Sequence, residues 1–442
     1  MSIGEFINGM RARGERAALA GSAVCMTYRR LVEEIGFRRA LMEAYGVRAG
    51  EVVAVEGDFT TGGLATALAV SDLGGVVVPL RPRARAAMTT ALEVCHVQHH
   101  LKATAEGVER VATRQARSHP LLSSLKGQAG LILLTSGTTE TPRAVLHDFD
   151  RFVGSLIGPG RAQRTLAFLR FDHIGGLNTA FRCLATGGTL VTIDRHSPEA
   201  VCEAIQRYAV EALPTTPSFL RSLLWSDVLD QADLGSLRVV QYSTEVMPES
   251  TLVRLNRRFP NLRLIQAYGM SELGVLRTRT SDRGSTWLET DATVRVRHGV
   301  LEVKSNRAML GYLNGDNPFT ADGWFQTGDL VEEVEGRLRI LGRAASSINV
   351  GGLKVNPVRV EDVLLGVDGV SDALVTGEDN AILGGLVCAR IVAAADQEPE
   401  RLRRRVIDTC KRRLERHELP RRINFVDALQ RTENQKKLRR GI

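Results

Sequence analysis

Short apolar runs rich in β-branched residues alternate with longer stretches of helical periodicity over the first part of the chain: Val52-Val53-Ala54-Val55, Val76-Val77-Val78, Leu131-Ile132-Leu133-Leu134, Thr189-Leu190-Val191-Thr192 and Leu237-Arg238-Val239-Val240. Runs without polar alternation suit strands buried on both faces, and the helical stretches between them suit parallel crossovers. The pattern therefore predicts largely parallel sheets covered by helices. Ligands in such folds bind beyond the C-terminal ends of the strands. Polar clusters stand at those positions: Thr135 after the Leu131 run, Asp172-His173 after Leu166-Ala167-Phe168-Leu169, Ser243-Thr244-Glu245 after the Leu237 run, and Tyr268 after the run from Leu262 to Gln266.

After about Arg277 the pattern becomes one of short alternating strands with glycine turns, such as Thr293-Val294-Arg295-Val296-Arg297 and Val300-Leu301-Glu302-Val303, which predicts a small β-barrel or antiparallel sheet. From Gly342 an α+β pattern resumes, and the reading places a hinge near Arg343. A chain of 442 residues exceeds what one core usually supports. The expected fold is thus α/β: a large N-terminal domain, 1–342, of helix-covered, mostly parallel sheets plus a small β-barrel, and a small mobile α+β domain, 343–442. No internal repeat or low-complexity segment interrupts this division.

Charge adds one feature. The net charge is +8, yet residues 401–442 hold 15 Lys/Arg against 5 Asp/Glu, which leaves the rest of the chain slightly acidic. Such a tail suits the phosphates of a nucleotide or coenzyme, or an acidic carrier protein, as well as a plain solvated helix face. No aromatic interleaving or nucleic-acid motif accompanies it, so nucleic acid is not an expected partner. The six cysteines are scattered without CxxC pairs and read as reduced, mostly buried thiols. The N-terminus lacks an apolar core, and the longest apolar stretch, Gly63 to Leu80, is broken by Ser71-Asp72 and Gly74-Gly75. A cytoplasmic protein without a membrane span is expected. His96, His99 and His100 lack further metal ligands and read as a surface feature.

The chemistry begins where the Leu131 run enters Thr135-Ser136-Gly137-Thr138-Thr139-Glu140-Thr141-Pro142-Arg143. Backbone N–H groups and four hydroxyls can wrap phosphate oxygens there, and no lysine-type P-loop occurs elsewhere. This loop resembles the TSGTTGxPK phosphate signature of the adenylate-forming superfamily, which comprises acyl- and aryl-CoA synthetases, adenylation domains of peptide synthetases, and luciferases. Four more segments resemble that family's motifs in its order. Gln266-Ala267-Tyr268-Gly269-Met270-Ser271-Glu272 is similar to YGxTE, and Gly323-Trp324-Phe325-Gln326-Thr327-Gly328-Asp329 to GWxxTGD. Gly342-Arg343 with Ile348 through Val355 and Glu361 resembles the hinge motif, and Arg431-Thr432 with Lys436 and Arg439 resembles RTxxGKxxR.

The resemblance implies ATP-dependent activation of a small carboxylic acid as an acyl-AMP, with Mg²⁺, and transfer to coenzyme A or a phosphopantetheine arm. Under it Thr135, Ser136, Gly137, Thr138, Thr139 and Arg143 hold phosphate, Tyr268 with Gly269 and Ser271 lies against adenine, and Glu272 holds the metal. Asp329 accepts from ribose hydroxyls, Arg343 binds the same sugar or a phosphate, and Lys436 is the catalytic lysine that stabilises charge at the α-phosphorus. The acid pocket is expected around Phe171-Asp172-His173-Ile174-Gly175-Gly176-Leu177-Asn178, with His173 on the substrate side. Gly351-Gly352 would leave room for pantetheine.

The chain departs from the pattern at Glu140 (family glycine), Arg143 (lysine), Gln430 and Gln435 (proline and glycine) and Ala345 (Asp or Lys). A Glu140–Arg143 pair is expected to hold the loop before ATP arrives. Two other readings stay open: loading of a carrier protein, and a degenerate paralogue that binds nucleotide without turnover. The acid is not specified by these residues, with aryl or small acids ranked first.

Overall fold

In the computed structural model, the described residues are 2–21, 24–115, 118–135, 141–276, 278–279, 284–290, 293–380, 384–395, 397–431 and 437. Ser136, Gly137, Thr138, Thr139 and Glu140 of the phosphate loop, together with Thr432, Gln435, Lys436 and Arg439, lie outside them.

Two seven-stranded sheets form the N-terminal unit, and the strands followed by polar clusters divide between them. One sheet carries Val52–Glu56, Val76–Leu80 and Gly130–Thr135 in parallel, edged by antiparallel partners; the other carries Arg164–Leu166, Thr189–Val191, Ala212–Thr215, Val239–Tyr242 and Arg263–Gln266 in parallel. Alternate residues of one run serve different cores, which explains the absence of polar alternation. Val53 and Val55 pack with Leu131, Leu133 and the helices between the sheets, whereas Val52 and Ala54 pack outward with Val76 and Ile132.

The next segment forms a six-stranded antiparallel sheet in which Phe325–Val334 pairs with Arg337–Arg343. Beyond it a single 3-10 turn, Ala344–Ser346, leads to a separate core. Here the helices Pro357–Leu365 and Pro399–Arg413 cover a three-stranded sheet of Val370–Asn380, Gly384–Ala393 and Arg422–Phe425.

His99 and His100 are not surface residues; they are 6% and 5% exposed on the strand His99–Ala103. That strand runs parallel to Val52–Glu56, so consecutive histidines point to opposite faces. Each meets a carboxylate near one end of its neighbour, His99 at 3.0 Å from Glu51 and His100 at 3.0 Å from Glu56. Among the described residues no helix is long and apolar enough to cross a membrane.

Candidate active site

A cavity of about 250 Å³ lies beneath the C-terminal ends of Val239–Tyr242 and Arg263–Gln266, closed from the other side by residues of the C-terminal unit. Tyr268, Gly269, Asp329 and Arg343 line it, so four expected nucleotide residues from distant motifs meet there.

Asp329 and Arg343 face one another across adjacent antiparallel strands, which places both side chains on one face. Arg343 Nε is 3.0 Å from Asp329 Oδ1, and Nη1 donates to the Thr327 carbonyl at 2.7 Å. The Tyr268 hydroxyl donates to Asp329 Oδ2 at 2.6 Å. Burial and the Asp329 charge push the Tyr268 phenol well above its ordinary value, which keeps it a donor. Burial also raises the Asp329 carboxyl, against the pull of Arg343 and of the Tyr268 hydroxyl. Gly269 is obligatory in this arrangement: a Cβ there would lie 2.6 Å from the Gly274 carbonyl oxygen.

Glu272 and Arg143 form a second group around a residue the motifs do not mark. Tyr312 donates its hydroxyl to Glu272 Oε1 at 2.9 Å, and the Arg143 guanidinium carbon lies 5.1 Å from the Tyr312 ring centroid. Asn314 brackets Arg143, donating from Nδ2 to the Pro142 carbonyl and accepting at Oδ1 from the Ala144 N–H, both at 2.8 Å. Thr135 pairs with Arg143 across the base of the phosphate loop. Another unmarked residue is His147, whose Nε2 meets the Ser271 carbonyl at 2.6 Å and therefore carries the proton. Burial depresses its pKa to about 4, leaving a neutral imidazole that fixes the loop carrying Glu272.

Thr244, at the rim of the cavity, has φ +75°, and its Oγ1 is buried without a hydrogen-bond partner. It is the one β-branched residue among the described non-glycine residues with positive φ, a strained conformation of the kind concentrated at ligand sites. Gln266 Oε1, on the same cavity, is also buried and unpaired.

His173 stands apart from this cavity: it N-caps the helix Ile174–Ala185, with Nδ1 accepting from the Gly175 N–H at 3.2 Å. The same helix sends Asn178 and Thr179 into a second cavity of about 570 Å³, shared with Thr165, Arg182, Gln241 and Ile265. Polar and apolar side chains share its walls, with Cys183, Leu213, Pro214 and Val239 beside the polar groups. Gly351 and Gly352 form the tip of the hairpin Ile348–Val350 to Leu353–Val355, at φ +60° and +86°.

For the metal, Glu272 offers one hard carboxylate on the Tyr312 and Arg143 side, and among the described residues no group of three or more His, Cys, Asp or Glu could hold a metal ion. That donor set fits Mg²⁺ held mainly by substrate phosphates and water, not by an all-protein cage.

Residues 8–301 match the model of the AMP-binding enzyme family, and residues 359–436 match that of the AMP-binding enzyme C-terminal domain. The chain is 30% identical over 342 residues to a 2-succinylbenzoate–CoA ligase of Bacillus licheniformis, covering 71% of this chain and 70% of that protein. It is 26% identical over 497 residues to a 3-[(3aS,4S,7aS)-7a-methyl-1,5-dioxo-octahydro-1H-inden-4-yl]propanoyl:CoA ligase of Rhodococcus jostii, covering 95% and 94%. The fold superposes on the anthranilate CoA ligase AuaEII in complex with anthranoyl-AMP with a TM-score of 0.84, at 18% identity and 99% and 97% coverage.

Proposed function

The chain belongs to the AMP-binding enzyme family, and on that premise we propose that the Tyr268–Asp329–Arg343 cavity binds ATP while a carboxylic acid is activated beside it. The chain is an AMP-forming acid–thiol ligase: the acid becomes an acyl-AMP with release of pyrophosphate, and the acyl group passes to the thiol of coenzyme A. The observation that carries the site assignment is the convergence of Tyr268, Asp329 and Arg343, 61 to 75 positions apart between the first and the others, around one buried carboxylate.

In this reading Asp329 accepts from the ribose hydroxyls, the Tyr268 ring lies against adenine, and Arg343 orients Asp329 and adds positive charge. Arg143 and the hydroxyls from Thr135 to Thr139 take the phosphates. Glu272, steadied by Tyr312 and by His147 through Ser271, would hold Mg²⁺. When bound, the metal offsets phosphate charge. The acid, with a pKa of roughly 4, is already ionised near neutrality, so the chain needs no general base for the first step, only alignment and positive charge. Lys436 supplies the latter, and the unit from residue 343 onward rotates for the second step. The acid's tail occupies the cavity beside Asn178 and Gln241, whose mixed polar and apolar wall suits an aryl or small acid.

A carrier protein as acceptor is the second reading, favoured by the exposed Arg404, Lys411 and Arg412 on the helix Pro399–Arg413. Pyrophosphate exchange over a panel of aryl, short-chain, fatty and amino acids tests the whole assignment, followed by product analysis with coenzyme A and with a phosphopantetheinylated carrier protein. ATP- and acid-dependent exchange with thioester formed on coenzyme A is expected. Absence of exchange with every acid would overturn it.

A further inference from the structure

Six charged groups are shut into the seam between the two units, where four of them, Arg221, Glu245, Glu361 and Lys437, also wall the cavity. Arg221 comes from the helix Pro217–Leu224 and Glu245 from the loop after Val239–Tyr242, both in the N-terminal unit. Glu361 and Asp372 come from the C-terminal unit, and Arg431 and Lys437 from the tail.

Asp372 is their common partner. Its Oδ1 lies 3.2 Å from Arg221 Nη2 and 3.2 Å from Lys437 Nζ, and its Oδ2 lies 2.6 Å from Arg431 Nη2. Lys437 Nζ is 3.7 Å from Glu361 Oε2 and donates to the Ala373 carbonyl, and its backbone N–H donates to Glu245 Oε1 at 3.4 Å. Arg431 reaches across the seam to donate to the Ser218 carbonyl at 3.0 Å. Arg431 and Lys437 also face one another in an antiparallel bridge. A single carboxylate thus grips both ends of the segment 432–436 and ties them to the helix Pro217–Leu224.

Three cations meet three carboxylates here, and each unit's share is balanced in charge. The N-terminal unit contributes Arg221 and Glu245, and the C-terminal unit contributes Glu361, Asp372, Arg431 and Lys437. Separation would leave each face neutral, so the cluster is built to come apart without stranding a net charge. Buried ion pairs add little to stability but specify one arrangement against others. The contact between Arg254 and Asp368 farther along the seam is of another kind: it spans 3.7 Å with Asp368 almost fully exposed, the sort of pair worth little.

We propose that Asp372 and Arg221 are positioning residues for acyl-AMP formation, a latch that docks the tail in the adenylating arrangement and releases it before thioester formation. This rests on the two-step ligase reading. Burial alone would raise the Asp372 carboxyl; Lys437, Arg221 and Arg431 overcome it and hold the group below the ordinary carboxylate range. The latch therefore remains charged across the neutral pH range.

The test uses the full-length protein with Arg221→Gln, Asp372→Asn and Arg221→Lys. Arg221→Gln leaves Asp372 paired with Arg431 and Lys437, so the C-terminal unit keeps its own charge balance even if Asp372→Asn folds poorly. Hydrogen exchange without any acid is the first arm. Peptides covering 217–224 and 427–437 should exchange roughly 5- to 150-fold faster in Arg221→Gln, the usual range of a coupling between sites, and Arg221→Lys should restore most of the protection. Unchanged exchange in both peptides would overturn the latch, whether or not the chain proves to be a ligase. The second arm uses the acid that gives the fastest pyrophosphate exchange with the unsubstituted protein. The kcat of exchange should fall by a similar factor, while transfer from the preformed acyl-AMP of that acid to coenzyme A stays within about twofold. Equal loss of both half-reactions would show a general structural role and overturn the proposal.

Discussion

The Tyr268 hydroxyl donates to Asp329 Oδ2 at 2.6 Å, so the aromatic residue of one motif and the acid of another hold each other before any nucleotide is present. Asp329 is thereby preorganised, with Arg343 on its other oxygen. Asp329→Ala should weaken ATP binding by about 1–3 kcal/mol, the scale of lost hydrogen bonds to a charged group. Tyr268→Phe keeps the ring and should cost less. Equilibrium binding of ATP to the three proteins checks both, and an unchanged affinity in Asp329→Ala would remove the ribose assignment.

His147 gives a pH signature. Its ordinary pKa of 6.5 falls to about 4 in the fold because burial disfavours the charged ring. Between those values the unfolded chain binds the proton and the folded chain does not, so stability is lost as pH falls from 6.5 toward 4, by about 1.4 kcal/mol per pH unit. Above pH 6.5 both states are neutral and the residue adds no slope. Denaturation midpoints from pH 7.5 to 4.5 should therefore fall less steeply in His147→Gln, whose amide can still donate to Ser271. Parallel slopes would contradict the burial account.

Lys436 and Lys437 are neighbours with different expected roles. Lys436→Ala should abolish acyl-AMP formation but largely spare transfer from preformed acyl-AMP. Lys437→Ala removes a buried cation from between Glu361 and Asp372 and should also lower stability, by about 3–5 kcal/mol. Measuring both half-reactions alongside thermal unfolding separates them; a stability loss in Lys436→Ala as large as in Lys437→Ala would mean the roles are misassigned.

Thr244 holds a β-branched side chain at positive φ beside the cavity. Thr244→Gly should relieve strain of about 1–3 kcal/mol, less roughly 0.5–1 kcal/mol for the added freedom of glycine in the unfolded chain. A melting temperature raised by a few degrees is expected by calorimetry. No rise would count against strain at this position.

The polar groups of Thr165, Asn178, Thr179 and Gln241 in the second cavity bear on the choice of acid. Acids with hydroxyl, amino or second carboxyl groups should exchange faster than unsubstituted chains of eight or more carbons, by about 5- to 150-fold, since one unpaired buried polar group costs about 1–3 kcal/mol. Gln241→Leu should narrow that gap. Preference for long alkyl acids in the unsubstituted protein would place the acid elsewhere.

Local pattern and motif spacing, both present in the sequence alone, determined the strands and marked the candidate nucleotide residues. Val52-Val53-Ala54-Val55 announced a strand buried on both faces because neither set of alternate side chains could face water. Tyr268, Asp329 and Arg343 each stand in a motif-like segment, and the fold brings the three together. Tertiary structure decided what depends on partners far apart in the chain. His99 and His100 looked solvated because polar residues usually are, yet Glu51 and Glu56 across the sheet make their burial tolerable. Asp372 carries no local mark at all. Its importance lies in Arg221, 151 positions away, and in Arg431, 59 positions away, and a charge is specified by whichever opposite charge shares its buried space, a relation that no short stretch of sequence contains.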